Sequence, residues 1–240
     1  MKVEICVDNI ESLITANQFP IDRIELCSAL AVGGLTPNYA FIKQALTHSR
    51  VPIVLMIRPR SGDFLYSEME VEMMLQEIAM AKQLGVQAVV FGALSATGEI
   101  DLATTARLVQ ASQGMEITFH RAFDLCQDPF VALEQLIDLG VHRILTSGQA
   151  STAFAGIPVI QRLVQQANQR IQIMAGCGIN AENVKHIIEQ TQVPEIHFSA
   201  KGQRKSAMQW KSAVKMGSAS QDDQLDVADA EKIRKIMLHL

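Results

Sequence analysis

The chain has 240 residues, of which 48% are hydrophobic and 19% are charged, and its formal net charge is −4. This hydrophobic content is enough for a large buried core, but no apolar run reaches the roughly 18 residues of a membrane span, and Glu4 and Asp8 interrupt any secretory leader at the N-terminus. The isoelectric point of 5.9 gives no basic footprint for nucleic acid, so we expect a globular protein of the cytoplasm.

Eight short β-rich segments recur along the chain. In chain order, the predicted strands are Val3–Val7, Asp22–Leu26, Pro52–Ile57, Val86–Phe91, Met115–His120, His142–Thr146, Ile171–Met174 and Pro194–Phe198. Helical patterns lie between them, at Ile10–Gln18, Asn38–His48, Ser67–Leu84, Leu102–Gln113, Pro129–Leu139, Phe154–Asn168 and Ala181–Gln190. The strands recur about every 27 residues, which is the size of one strand and one crossover helix.

This alternation predicts an α/β fold, a single TIM-like (β/α)₈ barrel domain over residues 1–240. An open, doubly wound sheet is the main alternative. No G-x-G-x-x-G follows the first strand, however, and several strands alternate polar and apolar residues where an open parallel sheet has continuous apolar runs. Residues 200–225 are polar and without a clear pattern, which predicts a long loop or lid, and residues 226–240 predict a closing helix.

Polar residues occupy one face of five of the predicted strands. Because the apolar face of a barrel strand packs against the helices, the polar face points into the barrel. Glu4, Glu25, His120 and His197 therefore become candidate acid–base groups at the barrel mouth. The alternative is a structural polar layer in which Arg58 bridges the two glutamates, but polar interior residues on five strands favour a functional pocket.

The loops that follow the strands carry groups suited to anion binding. Guanidinium groups form bidentate hydrogen bonds with carboxylate or phosphate, and glycine-rich turns expose backbone N–H groups. The alternative is that the arginines pair with nearby carboxylates and that the glycines are needed only for tight turns. The candidate anion-binding residues are Arg58, Arg60, Ser147, Gly176 and Gly178.

The four cysteines are widely spaced and form no C-x-x-C pair, so in a reducing cytoplasm we expect thiols. Cys6 and Cys27 are predicted to occupy equivalent inward positions on adjacent strands. Two thiolates there could bind a soft ion such as Cu(I), with His120 or His197 as further ligands. The spacing alone favours the simpler alternative, in which both cysteines are small buried side chains.

Seven short motifs follow one another along the chain. They are Glu4-Ile5-Cys6, Arg23-Ile24-Glu25-Leu26-Cys27, Gly33-Gly34-Leu35-Thr36-Pro37, Ile57-Arg58-Pro59-Arg60-Ser61-Gly62-Asp63-Phe64, Val90-Phe91-Gly92, Thr118-Phe119-His120-Arg121-Ala122-Phe123-Asp124 and Leu145-Thr146-Ser147-Gly148. Together they closely resemble the CutC family, which is usually associated with copper homeostasis, and the resemblance runs from Glu4 to about Met216. It implies a TIM-like barrel, a cytoplasmic location, a homo-oligomer (dimer or tetramer) and Cu(I) binding by Cys6 and Cys27, which match the family's E-x-C and E-L-C cysteines.

Two hypotheses about function result. The resemblance implies a copper homeostasis protein that binds Cu(I) at the barrel mouth. The residues themselves also fit a TIM-barrel enzyme that acts by acid–base chemistry on a small anionic metabolite, a class that includes phosphate esters. In either case the expected partner is a metal ion or a small anion, and neither nucleic acid nor a membrane.

Overall fold

Eight parallel strands close into a barrel in sequence order, each pairing with the next and β8 pairing with β1. This closed strand order confirms the predicted (β/α)₈ fold. The computed structural model describes residues 1–210, 212–214 and 222–240. The strands are β1 (Lys2–Val7), β2 (Arg23–Leu26), β3 (Ile53–Met56), β4 (Ala88–Phe91), β5 (Glu116–Phe119), β6 (Arg143–Thr146), β7 (Gln172–Gly176) and β8 (Glu195–Phe198).

In the described part of the chain, seven α-helices follow the first seven strands and an eighth lies near the C-terminus. They are α1 (Ile10–Ala16), α2 (Tyr39–His48), α3 (Glu68–Gln83), α4 (Leu102–Ala111), α5 (Pro129–Asp138), α6 (Ile157–Ala167), α7 (Val184–Thr191) and α8 (Ala230–Met237). Polar side chains cap several N-termini: Asn9, Ser67 and Asp101, for example, accept hydrogen bonds from backbone N–H groups of the first turn. None of the helices in the described ranges is long and apolar enough to cross a membrane.

Helices α6 and α7 begin later than the sequence pattern predicts. Helix α6 starts at Ile157 because Gly156 packs its backbone against that of Ser147 and Gly148, in a space where a Cβ would not fit. Helix α7 starts at Val184 because the side chain of Asn180 accepts the backbone N–H groups of the two residues before that helix and holds them in a turn.

The two faces of the strands separate the main core from the barrel interior. The outward faces, with side chains such as Ile5, Ile24 and Ile196, form one large apolar core with the helices. The inward faces of β1, β2, β5, β6 and β8 carry charged groups, whereas β3 and β4 contribute a second, smaller apolar cluster. We call these the charged side (Glu4, Arg23, Glu25, Glu116, Arg143, Glu195, His197) and the apolar side (Cys27, Val54, Met56, Ala88, Val90) of the interior.

The C-terminal extension differs from its prediction. Residues 200–225, predicted as a loop or lid, include a strand, β9 (Lys201–Lys205), which pairs antiparallel with β10 (Gln224–Ala228). The predicted closing helix at 226–240 begins only at Ala230, because β10 occupies the first residues of that segment and Asp229 caps α8. Residues 211 and 215–221 of the predicted lid lie outside the described residues.

Candidate functional site

The carboxyl ends of the barrel strands surround a cavity of about 820 Å³. This volume lies in the range of pockets that hold small organic molecules. Of the residues predicted from sequence to form the site, the lining includes Cys6, Glu25, Arg58, His120, Gly178 and His197. The others, which lie nearby but do not line the cavity, are Glu4, Cys27, Arg60, Ser147 and Gly176.

A cluster of four ionisable groups lies at the β1, β2 and β8 side of this cavity, and its members are Glu4, Cys6, Glu25 and His197. Glu4 accepts hydrogen bonds from Arg23 Nε and from His197 Nδ1, each at 2.9 Å. The other ring nitrogen, His197 Nε2, is 3.8 Å from Glu25 Oε2. One ligand atom each from Cys6, Glu25 and His197 lie within 4.8 Å of one another, so these three side chains could hold one metal ion.

The electrostatics of the cluster separate its members into two kinds. Burial alone would raise the pKa of Glu4, but the hydrogen bond and charge of His197 and the charge of Arg23 outweigh burial and lower this pKa to about 2. Burial disfavours a charged His197 ring, yet the negative groups around it raise its pKa well above the usual value. Burial raises the pKa of both Glu25 and Cys6. The cluster therefore contains a buried Glu4–His197 ion pair beside two groups, Glu25 and Cys6, whose pKa values burial moves upward.

Cys27 lies apart from this cluster, on the apolar side. The β1–β2 register places Cys6 opposite Glu25, so the two cysteines are not at equivalent positions. The Cys27 thiol donates a hydrogen bond of 3.3 Å to Glu25 Oε2, and burial together with the charge of Glu25 raises its pKa well above the usual value. Cys27 thus reaches the cluster through Glu25.

His120 lies at the end of β5 and is held as a neutral ring. Its Nδ1 accepts the backbone N–H of Ala122 at 3.2 Å, and its ring centroid is 4.9 Å from that of Phe64. Burial and the charge of Arg58 lower the pKa of His120 to about 3. Its Nε2 is buried and has no hydrogen-bond partner among the described residues.

Arg58 is buried, with only 4% of its surface exposed, and is held by backbone carbonyls. It donates to the oxygens of Val32 at 2.9 Å, Gly34 at 3.1 Å and Gly62 at 2.9 Å, and it lies 4.7 Å above the ring of Phe64. Within the described ranges no carboxylate lies within ion-pair distance of Arg58. The structure contradicts the alternative in which Arg58 bridges Glu4 and Glu25, because Glu4 pairs with Arg23 and His197 instead.

Of the other predicted anion-binding residues, Arg60 and Ser147 have carboxylate partners, and of the two glycines only Gly178 lines the cavity. The half-exposed Arg60 pairs with Glu70 and with Asp63. The Ser147 hydroxyl and backbone N–H contact Asp124, which ties the loop after β6 to the turn after β5. Gly176 lies in β7 beside His197, where a Cβ would be 2.6 Å from Leu145, and Gly178 has a left-handed φ of +73°.

Two groups of site residues were missed by reasoning from sequence. Arg23, Arg143 and Glu195 are buried ion-pair partners beneath the mouth, and their inward position in the strand alternation was the available signal. The second group consists of two lysines of α8, Lys232 and Lys235, which reach the rim of the cavity from outside the barrel strands, and no sequence motif marks them. Lys201, at the start of the predicted loop or lid, also lines the cavity.

The family model that matches the chain covers residues 1–202 and describes the CutC family. The chain belongs to the CutC family. A CutC family protein from Glaesserella parasuis serovar 5 is 75% identical over 240 residues, which cover 100% of this chain and 99% of the relative. Another, from Pasteurella multocida, is 52% identical over 224 residues, or 93% and 92% of the two chains. A crystal structure of a Streptococcus agalactiae protein, named for copper homeostasis as CutC, matches with a TM-score of 0.79 and 37% identity, covering 83% of this chain and 98% of that one.

Proposed function

We propose that the barrel mouth of this CutC chain binds a small organic anion, a carboxylate or phosphate compound, and performs acid–base chemistry on it. The observation that carries the proposal is Arg58, a buried guanidinium that lines the cavity and has carbonyl partners without a carboxylate within the described residues. A buried charge without a counter-ion is costly by several kcal/mol, and a bound anion would remove this cost.

The other charged residues of the cavity support an anionic ligand. Its lining includes five Lys or Arg side chains against three carboxylates. The α8 lysines are exposed at the rim, where they would attract an anion before it reaches Arg58, whereas Lys201 of β9 pairs with Asp226 at 2.6 Å. The cations are Arg58, Arg121, Lys201, Lys232 and Lys235, and the carboxylates are Glu25, Asp124 and Glu182.

The acid–base groups of the proposal are the residues already grouped around His197. Glu25 lines the cavity and would exchange protons with the ligand, because burial moves its pKa upward, towards the working range of a general acid or base. Glu4 does not line the cavity, and it would position His197 through the hydrogen bond to Nδ1. His120 would contact the ligand as a neutral group.

The test is binding of a panel of small carboxylates and phosphate esters, measured by thermal shift and then by calorimetry. We expect at least one compound to stabilise the chain, by about 2.7 kcal/mol when present at 100 times its Kd. Arg58→Lys keeps the positive charge but loses the planar fork, and we expect it to weaken binding about tenfold or more.

Arg60→Lys is the matched control, since Arg60 is in the same loop but pairs with Glu70 outside the cavity. It should leave the affinity within about twofold, because exposed ion pairs contribute little. The proposal fails if no anion stabilises the chain, or if the Arg60 variant weakens binding as much as the Arg58 variant.

We also propose Cu(I) as a ligand of the same mouth, on the separate observation that Cys6, Glu25 and His197 offer atoms within 4.8 Å of one another. A thiol and an imidazole are donors that suit Cu(I), so this donor set fits the ion. Cys6 would be the principal ligand and Cys27 would act through Glu25. Binding would have to displace protons from Cys6 and His197, which predicts weaker binding at lower pH.

Anaerobic Cu(I) titration against a competing chelator tests this second function. We expect Cys6→Ser to lower the Cu(I) affinity about a hundredfold and Cys27→Ser about tenfold. Cys126→Ser is the matched control, because Cys126 is also buried but is absent from the lining of the cavity. Equal affinity and stoichiometry in all four proteins would exclude this site.

A cytoplasmic location and assembly into a dimer or tetramer complete the proposal, and they rest on the resemblance to the CutC family. Sedimentation velocity of the purified chain tests the assembly. A single species with the mass of one chain across micromolar concentrations would contradict it.

A further inference from the structure

The imidazole of His120 is fixed in one tautomer by the backbone beside it. Its Nδ1 accepts the N–H of Ala122 at 3.2 Å, so this nitrogen carries no proton. In a neutral ring the proton then lies on Nε2. Because the pKa of His120 is lowered to about 3, the ring remains neutral throughout the physiological range, with one N–H to donate.

That N–H has no acceptor in the described part of the chain. His120 is only 4% exposed, and its Nε2 is cut off from both protein partners and solvent. A buried donor left in this state costs about 1–3 kcal/mol, and native structures seldom keep one without a role. His120 also lines the cavity that holds Arg58, so the missing acceptor belongs with a ligand of this cavity.

The ring position is enforced rather than incidental. Gly92, at the end of β4, leaves the space that the ring fills, since a Cβ there would be 2.6 Å from Nδ1 and 2.7 Å from Cε1. Phe64 packs against the ring on another side, at 4.9 Å between centroids. Backbone, glycine and aromatic ring together hold the His120 ring in one position in the wall of the cavity.

We propose that His120 Nε2–H donates a hydrogen bond to a carbonyl oxygen of the bound anion, so that the substrate class is a small anionic aldehyde, ketone or keto acid. This inference rests on the proposed anion-binding function and deepens it. Arg58 and the rim lysines would hold the charged end of the compound, and His120 would hold its neutral oxygen.

The chemistry of the neighbouring groups favours a carbonyl oxygen over the other acceptors. A carboxylate or phosphate oxygen binds more strongly to the cations that the cavity already supplies. A hydroxyl can donate as well as accept and gains less from a fixed N–H. A carbonyl oxygen only accepts, and it gains negative charge when the carbon beside it loses a proton or when its own carbon is attacked. A neutral imidazole is an effective donor to such an oxygen.

The test compares matched pairs of anions that differ only in carbonyl against alcohol: dihydroxyacetone phosphate with glycerol 3-phosphate, oxaloacetate with malate, and pyruvate with lactate. For at least one pair we expect the wild-type chain to bind the carbonyl member about tenfold more tightly. His120→Phe, which removes the donor but keeps a ring, should abolish this preference, and His120→Gln, which restores an N–H donor, should recover part of it.

The outcomes separate this inference from the proposed function. If anions bind but carbonyl and alcohol members bind alike, or if His120→Phe keeps the preference, the carbonyl assignment is wrong and anion binding stands. If no anion binds, both fail. His142→Phe is the control, since His142 is exposed and contacts the backbone of Ile117, and it should leave the preference unchanged.

Nitrogen-15 NMR of the histidine rings provides a check that needs no ligand. We expect one ring, absent from His120→Phe spectra, to carry its proton on Nε2 and to remain neutral down to about pH 4. Protonation of that ring near pH 6.5, or a proton on Nδ1, would overturn the inference.

Discussion

Gly92 shows how one residue without a side chain shapes the site. It follows β4 and packs against the ring of His120 and the side chain of Ala122. A Cβ at this position would lie 3.1 Å from the Cβ of Ala122. Its φ is not in the left-handed region, so any L-residue could adopt its backbone conformation. The requirement for glycine here is therefore purely one of space, and it concerns His120.

We predict that Gly92→Ala displaces the His120 ring and lowers the free energy of unfolding by about 1–3 kcal/mol, as overpacking of a buried site does. Urea unfolding and the His120 NMR signals measure the two effects. Gly140→Ala is the control, because an added Cβ there would have no atom within 4 Å. Its φ of +78° is unfavourable for alanine, so this variant should lose stability without a change in the His120 signals. A Gly92→Ala protein with wild-type His120 signals would contradict the prediction.

At the scale of single residues, the sequence predicts which side chains lie in the barrel interior better than it predicts the groups they contact. The inward alternation correctly placed Glu4, Glu25 and His197 in the barrel interior. It could not show that Arg58 is held by the carbonyls of Val32, Gly34 and Gly62, because those oxygens come from loops whose course depends on the whole fold. Every residue has a backbone carbonyl, so residue identity does not show which of these oxygens accepts a side-chain hydrogen bond.

Among the elements, helix α8 has the clearest link to the site. It follows the β9–β10 hairpin, buries Ile233 and Ile236, and brings Lys232 and Lys235 to the rim of the cavity. Asp229 caps it by accepting the N–H groups of the second and third residues that follow it. The cap therefore supports both the helix and the position of two rim cations.

We predict that Asp229→Ala lowers the free energy of unfolding by about 0.5–2 kcal/mol and also weakens anion binding. Asp128→Ala is the matched control, because Asp128 caps α5 in the same way but α5 contributes no residue to the cavity lining. The control should lose similar stability and keep its affinity, as chemical denaturation and calorimetry would show. Equal affinity in both variants would mean that the rim lysines do not contact the ligand.

The elements differ in how much of them the sequence predicts. The eight strands and seven crossover helices follow from apolar periodicity, because each must bury one face against the common core. The β9–β10 hairpin does not, since Lys-Gly-Gln-Arg-Lys in β9 is polar throughout and largely exposed. Its strands are joined by backbone hydrogen bonds between segments about 20 residues apart, which side-chain patterns do not reveal.

Over the whole molecule, a chain of ion pairs connects five strands through the barrel interior, and all of its members are buried except Glu116, which is half-exposed. Arg143 contacts Glu116 and Glu195, Glu195 also contacts Arg23, and Arg23 contacts Glu4, which holds His197. Each charge in this series has a partner on a neighbouring strand or across the barrel. Removal of a buried member takes one ion-pair partner from each of its neighbours, and breaking a buried pair in this way typically costs about 3–5 kcal/mol.

We predict that Glu4 makes the fold acid-sensitive. Its pKa falls from an ordinary value of 4.5 to about 2 on folding, so its contribution to stability is complete above pH 4.5 and is lost as the pH falls from 4.5 through 2. Glu4→Gln should therefore lower stability at pH 7 and flatten the pH dependence in that window. Urea unfolding at a series of pH values measures both changes.

Glu11→Gln is the control for this experiment, because Glu11 forms an exposed ion pair with Arg204. It should change stability by less than about 1 kcal/mol and keep the acid dependence of the wild-type chain. A Glu4→Gln protein whose stability falls with acid as steeply as that of the wild type would show that other carboxylates cause the loss.

The division of the interior into a charged and an apolar side has a consequence for the way the barrel opens. Acid weakens the ion pairs between β1, β2 and β8 but leaves the packing of Val54, Met56, Ala88 and Val90 on β3 and β4 unchanged. As the pH falls from 4.5 towards 2, we expect the backbone amides of β1 and β8 to exchange with deuterium sooner than those of β3 and β4. The seam where the first strand meets the last would then be the place where this closed sheet first comes apart.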